Sequence, residues 1–125
     1  MPEVIRAQGC EAAPETTTTE AIALALMGVG DLPGHALAEN AVWDGAHGAR
    51  AGRAAIGAAV ARVAPADRIR VEQVVVHGRA GTVSGRITRA GQTRLYCHVI
   101  RFTAQNRAQA AQIVSFEHPG GKSDV

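Results

Sequence analysis

The chain has 125 residues, 46% hydrophobic and only 3% aromatic, with a formal net charge of +2. That suits one compact domain with a core of Ala, Val, Ile and Leu rather than rings. The positive charge is arginine scattered from Arg6 to Arg107, with Lys122 the only lysine, so the basic patch and aromatic stacking partners of a nucleic-acid surface are missing.

No apolar run approaches the ~18 residues of a membrane span. The start, MPEVIRAQGCEAAPE, carries acids and no long apolar centre, unlike a secretory signal. Cys10 and Cys97 fit a reduced, cytoplasmic protein better than a disulfide scaffold.

In chain order, residues 1–16 form an extension that is hard to place. Pro2 to Ala13 could make a short helix, which Pro14 would stop. Thr17 and Glu20 have the spacing of a capping box. Ile22, Leu26 and Val29 continue from it as one apolar helical stripe, and Gly28 and Gly30 are its stop signal. Asp31 can cap a short second helix, LPGHAL, and Ala41 to Asp44 reads as a short strand. Gly52 to Val63 is the next helix, with Ile56, Val60 and Val63 on its buried face and Pro65 after it.

The apolar period then changes from 3.6 to 2. ADRIRVEQVVVHG, TVSGRIT, TRLYCHVIRFT and AAQIVSFEH are strands, with HGRAG and RAGQ as hairpin turns. Helices first and a meander afterwards indicate an α+β fold, with a curved, mainly antiparallel sheet packed against N-terminal helices. No linker divides the chain, and residues 119–125 read as a tail.

This order of elements, with VGDLPGHAL, AENAVWDG, GRAAI, HVIRF and IVSFEH, resembles the nuclear transport factor 2-like superfamily, and within it the SnoaL-like and ketosteroid-isomerase-like proteins. The resemblance spans about Thr17 to His118 and rests on the order and spacing of weak motifs. It implies a cone-shaped half-barrel with an apolar pocket between helices and sheet, and a homodimer through the outer sheet face. The isomerase branch uses a tyrosine on the first helix, a carboxylate base after the short strand and an acid on a central strand. Those positions fall here on Ala23, on Asp44 or Gly45, and on His98. The chain thus keeps one carboxylate at most, has a histidine in place of the acid, and lacks the tyrosine.

His98 shares a strand face with Tyr96, Ile100 and Phe102 by alternation. There it is either a core histidine bonded to a neighbour, or a proton-transfer group or hydrogen-bond donor to a bound carbonyl. Asp44 is either a base, if partly desolvated, or a turn aspartate before Gly45. Asp44 with His47 and His35 would be a metal site only if all three converged, and no metal is expected. Trp43, Tyr96, Ile100, Phe102, Ile56 and Phe116 are the expected pocket walls. Glu72 should be solvated or dimer-facing, Glu117 and His118 should fray at the end of the last strand, and Arg70, Arg86, Arg94 and Arg101 should lie on the outer sheet face.

The expected function is a pocket for a hydrophobic, carbonyl-bearing small molecule. If it is an enzyme, it is a cofactor-independent isomerase, cyclase or dehydratase using His98 and Asp44. The alternatives are ligand binding without turnover and a dimeric interaction domain.

Overall fold

The computed structural model describes residues 3–6, 14–32, 34–45, 48–104 and 109–119. Ten elements follow in order: β1 (Glu3–Arg6), α1 (Pro14–Leu26), a 3-10 turn (Gly34–Ala36), β2 (Leu37–Gly45), β3 (Gly48–Ala51), α2 (Arg53–Ala61), β4 (Arg68–His77), β5 (Ala80–Arg89), β6 (Gln92–Phe102) and β7 (Ala110–Pro119). The strands form one seven-stranded sheet in the order β1-β4-β5-β6-β7-β2-β3. The β4–β5–β6–β7 meander and the β2–β3 hairpin are antiparallel, whereas β1–β4 and β2–β7 are parallel. The expected α+β architecture is present, with a curved, unclosed sheet that is mixed at both flanks.

Several local expectations are corrected. Residues 3–6 are a strand, because EVIR completes the free edge of β4. Pro14 begins a helix rather than ending one, since a proline lacks only an N–H that the first turn leaves unbonded anyway. Thr17 and Glu20 therefore lie inside α1 and are not its cap. Glu20 instead receives two bonds from Arg6, at 2.9 and 2.6 Å, which tie β1 to α1. The stretch after Asp44 is a β-hairpin, not a strand-to-helix turn: Gly45 pairs with Gly48, and β3 runs back along β2 before Gly52 opens α2.

Other expectations hold. Gly28 and Gly30 have left-handed backbone, with φ of 91° and 78°, where α1 stops. The Gly78 and Ala90–Gly91 turns join the meander strands, also with positive φ.

The core lies in two halves. One gathers Ile22, Leu26, Leu37, Ile56, Ile100 and Ile113 between the helices and β2, β6 and β7. The other gathers Met27, Ile69, Val71, Val83, Ile87 and Tyr96 under α1 on β4, β5 and β6. Helix α1 straddles both, because Ile22 and Leu26 point one way and Ala23 and Met27 the other.

The sheet is bent at Glu72. The β4–β5 register shifts between Val71 and Gln73, which leaves one extra residue on β4. Such a bulge bends and twists its strand. The Arg70 carbonyl turns out of the ladder there and accepts a hydrogen bond from the Tyr96 hydroxyl at 3.1 Å. It also passes over Gly85, where a Cβ would stand 1.9 Å from the carbonyl oxygen.

A contrasting pair of substitutions tests this geometry. Gly85→Ala forces the bulge apart and should cost about 3 kcal/mol or more of unfolding free energy. Gly57→Ala, in α2 with nothing within 4 Å of the new methyl, should stabilise by about 0.5–1 kcal/mol. Urea denaturation of the two variants would show both signs; a Gly85→Ala protein as stable as wild type would contradict the bulge.

Candidate functional site

The inward face of β6 carries Arg94, Tyr96, His98, Ile100 and Phe102 in alternation, as their partners on β5 and β7 show. His98 sits between Tyr96 of one core half and Ile100 of the other, at the seam. It is only 3% exposed. Its neighbour on β7 is Ser115, and its Nδ1 lies 2.7 Å from the Ser115 Oγ. The same Oγ accepts a hydrogen bond from the Trp43 indole N–H at 2.9 Å.

The first link of this chain has a direction. An indole nitrogen only donates. With Trp43 occupying one lone pair of Ser115, the hydroxyl proton and the second lone pair are both open to His98 Nδ1. Trp43 donates to Ser115; where Ser115 in turn donates to His98 Nδ1, the imidazole proton resides on Nε2. That Nε2 is sealed from water and has no partner among the described residues. An unpaired buried donor costs about 1–3 kcal/mol.

Burial, with the Arg89 charge adding to it, pushes the His98 pKa down from 6.5 to about 4. At neutral pH the ring is an uncharged N–H donor, packed 5.4 Å from the Tyr96 ring.

A cavity of about 430 Å³ opens beside this chain. His98, Ser115, Trp43 and Leu26 form its more buried wall. Ala59, Val63 and Ala64, at the end of α2 and just after it, form an apolar side. Arg50 of β3, Arg62 and Arg89, the last residue of β5, supply cations, and Glu117 is the one carboxylate on the wall among the described residues. Glu117 lies inward with Ser115, 3.4 Å from Arg89 and 3.3 Å from Arg94.

The expected site residues separate on this map. His98 and Trp43 are brought together through Ser115. Asp44 is not brought to His98: it follows the inward Trp43 in β2, pairs with Val114, and lines a second hollow that shares Gly45, Ser115, Phe116 and Glu117 with the cavity. It is a ladder residue opposite Ala49, not a turn aspartate. Tyr96, Ile100, Phe102 and Ile56 are packed in the core and are not on the cavity wall. Phe116 alternates outward, is 56% exposed, and reaches the cavity only at its rim. His35 is exposed on the 3-10 turn, and His47 lies outside the described residues. Among the described residues no three His, Cys, Asp or Glu side chains are grouped as metal ligands. Arg94 faces inward to Glu117, not outward with Arg70, Arg86 and Arg101.

Ser115, Glu117, Arg50, Arg62 and Arg89 were not singled out from the sequence. In IVSFEH the apolar residues Val114 and Phe116 suggest the wrong inward phase. Ile113, buried against Trp43 and Ile100, sets the phase that turns Ser115 and Glu117 inward.

No protein-family model and no curated protein matches the sequence. The backbone, however, is similar to several solved structures. One is a nuclear transport factor 2-like protein of unknown function from Burkholderia xenovorans LB400, with a TM-score of 0.65 at 10% identity over 90% of this chain and 91% of that one. Another, from Kribbella flavida DSM 17836, is provisionally assigned as a ketosteroid isomerase, with a TM-score of 0.67 at 13% identity over 90% and 83%. A third, from Cytophaga hutchinsonii ATCC 33406, is again nuclear transport factor 2-like and of unknown function, with a TM-score of 0.57 at 13% identity over 82% and 91%. The chain has a nuclear transport factor 2-like fold. At these identities the likeness establishes the fold alone, and function rests on the site.

The buried imidazole makes stability depend on pH. Between pH 6.5 and about 4 the unfolded chain binds a proton at His98 that the native state does not. Stability from this residue is full above pH 6.5 and falls by about 3 kcal/mol as the pH drops through 4. Urea unfolding at pH 7.5 and 4.5 should show that loss in wild type relative to His98→Gln. Parallel losses in the two proteins would contradict it.

Proposed function

We propose that the cavity binds a hydrophobic, carbonyl-bearing small molecule, with the Nε2–H of His98 as hydrogen-bond donor to its oxygen. The observation that carries this reading is a buried Nε2, without a partner among the described residues, on a histidine that lines a partly apolar cavity. A group left unpaired in a core calls for a partner, and a carbonyl oxygen is the acceptor that an uncharged N–H suits. Binding in this way has the wall open over Nε2, which is sealed from water.

The reaction such a donor supports is cofactor-independent proton transfer beside a carbonyl: isomerisation, cyclisation or dehydration. A neutral imidazole that donates its Nε2 proton to the oxygen stabilises the enolate as charge develops there. In this reading the Ser115 hydroxyl donates to Nδ1 and holds the ring in the donating tautomer. Asp44, not brought to His98, does not serve as the base in this arrangement. Glu117 is a carboxylate on the cavity wall and is paired with Arg89 and Arg94.

A second reading, binding without turnover, is favoured by Ala23. This residue is fully buried in the core at the position where the resemblance places a catalytic tyrosine, so no hydroxyl assists His98 from α1.

Matched ligands test the donor. 2-Acetonaphthone and 2-ethylnaphthalene have the same ring system, and only the first carries a carbonyl. His98→Phe should weaken the ketone about tenfold, the worth of one hydrogen bond, and leave the hydrocarbon unchanged. Equal losses for both compounds would mean that His98 only shapes the wall.

We also propose self-association through the outer sheet face. Leu95, Cys97 and Val99 of β6 and Val114 of β7 are half-buried there beside the exposed Phe116. Arg70, Glu72 and Arg86 form a charged cluster on the same face, with Glu72 2.9 Å from Arg86 and 3.3 Å from Arg70. Partial burial pushes the Cys97 thiol up, so it is a packing group rather than a nucleophile. Analytical ultracentrifugation should show a dimer that Phe116→Glu converts to monomer. A wild-type monomer at high micromolar concentration would end the proposal.

A further inference from the structure

The cavity wall is unevenly charged. Among the described residues three arginines, Arg50, Arg62 and Arg89, stand on it against the single carboxylate of Glu117. That carboxylate is already shared between Arg89 and Arg94. Away from the cavity Arg6 has Glu20, Arg68 has Glu3, and Arg70 and Arg86 share Glu72, while Arg53, Arg79 and Arg101 have no acidic partner among the described residues and are not on the cavity wall. Arg50 and Arg62 have none among the described residues. Arg62 gains something from its place at the C-terminal end of α2, where helix carbonyls favour a cation. Arg50 has no such support: it stands on β3 opposite Trp43, and its one bond is a 3.4 Å contact to the carbonyl of its neighbour Ala49.

Burial orders these groups from the inside outward. His98 and Leu26 are buried, Trp43, Ser115 and Val63 are half-buried, and Arg50 and Arg62 are exposed. The cavity therefore runs from a neutral N–H donor, past apolar walls, to a cationic mouth. The lowering of the His98 pKa has Arg89 as its second cause, so positive charge is felt even at the inner end.

We infer that the ligand is an oxo acid, an apolar body with a ketone oxygen at the His98 end and a carboxylate at the Arg50–Arg62 end. The inference rests on the proposed carbonyl-binding role of the cavity and adds the ligand's charge. Guanidinium groups fit a carboxylate through paired N–H donors. An apolar body crossing about 430 Å³ of cavity leaves its charged end in the half-solvated mouth, where desolvation is cheapest. The neutral imidazole at the other end would not hold a carboxylate as well as it holds a ketone, which fixes the orientation.

The test compares 6-acetyl-2-naphthoate with its methyl ester, which share ring system and ketone and differ in one charge. Calorimetric titration at low salt should show the acid binding about tenfold tighter than the ester. The advantage should shrink to about twofold or less in an Arg50→Gln/Arg62→Gln double variant, with ester affinity unchanged. Arg101→Gln, which removes a charge from the outer face, should leave the advantage intact. If acid and ester bind wild type equally, or the double variant keeps the full preference, the anionic inference fails while the carbonyl pocket stands. If neither compound binds, both fall.

Discussion

The hydroxyl of Ser115 connects three neighbouring strands. It lies on β7, accepts from Trp43 on β2 and is hydrogen-bonded to His98 on β6. A histidine in an apolar seam is tolerated only if its polar atoms are met, and Ser115 meets one of them. The other, Nε2, is left without a partner among the described residues. The inner wall of the cavity, the position of the Trp43 indole and the state of the imidazole all follow from this one junction.

The curvature of the sheet creates the space around it. The bulge at Glu72 turns the Arg70 carbonyl inward, where Tyr96 bonds it and Gly85 makes room. With β4 bent, α1 packs across the sheet and divides the core into two apolar halves. His98 occupies the line between them, and the cavity opens where the end of α2, the β2–β3 hairpin and the ends of β5 and β7 meet around that line. A polar residue at the seam of a two-part core is held firmly without being surrounded by side chains on every side.

Charge is distributed unequally over the two faces of the sheet. Outside, the Glu72 cluster balances cations with an acid around a half-buried apolar centre. At the cavity mouth Arg50 and Arg62 stand together on one wall without acidic partners among the described residues, as Arg101 does alone on the outer face. An uncharged donor at one end and cations at the other make the cavity directional, and a directional cavity selects how its ligand enters.

Much of this was legible in the residues. The change of apolar period from 3.6 to 2, the glycine stops and the hairpin turns determined the helices, the meander and their layering. Alternation along RLYCHVIRF placed His98 inward with Tyr96, because a strand's period of two leaves no other choice once Ile100 and Phe102 are buried. The partners of His98 were not legible. Ser115 and Glu117 turn inward because β7 pairs with β6 and β2 in a particular register, and one residue of slip would have presented Val114 and Phe116 instead. Asp44 was excluded from the cavity in the same way, by pairing with Val114 in a hairpin that its glycines did not distinguish from a helix start. Local spacing decides which elements form. Strand register, which depends on residues seventy positions apart, decided which side chains meet.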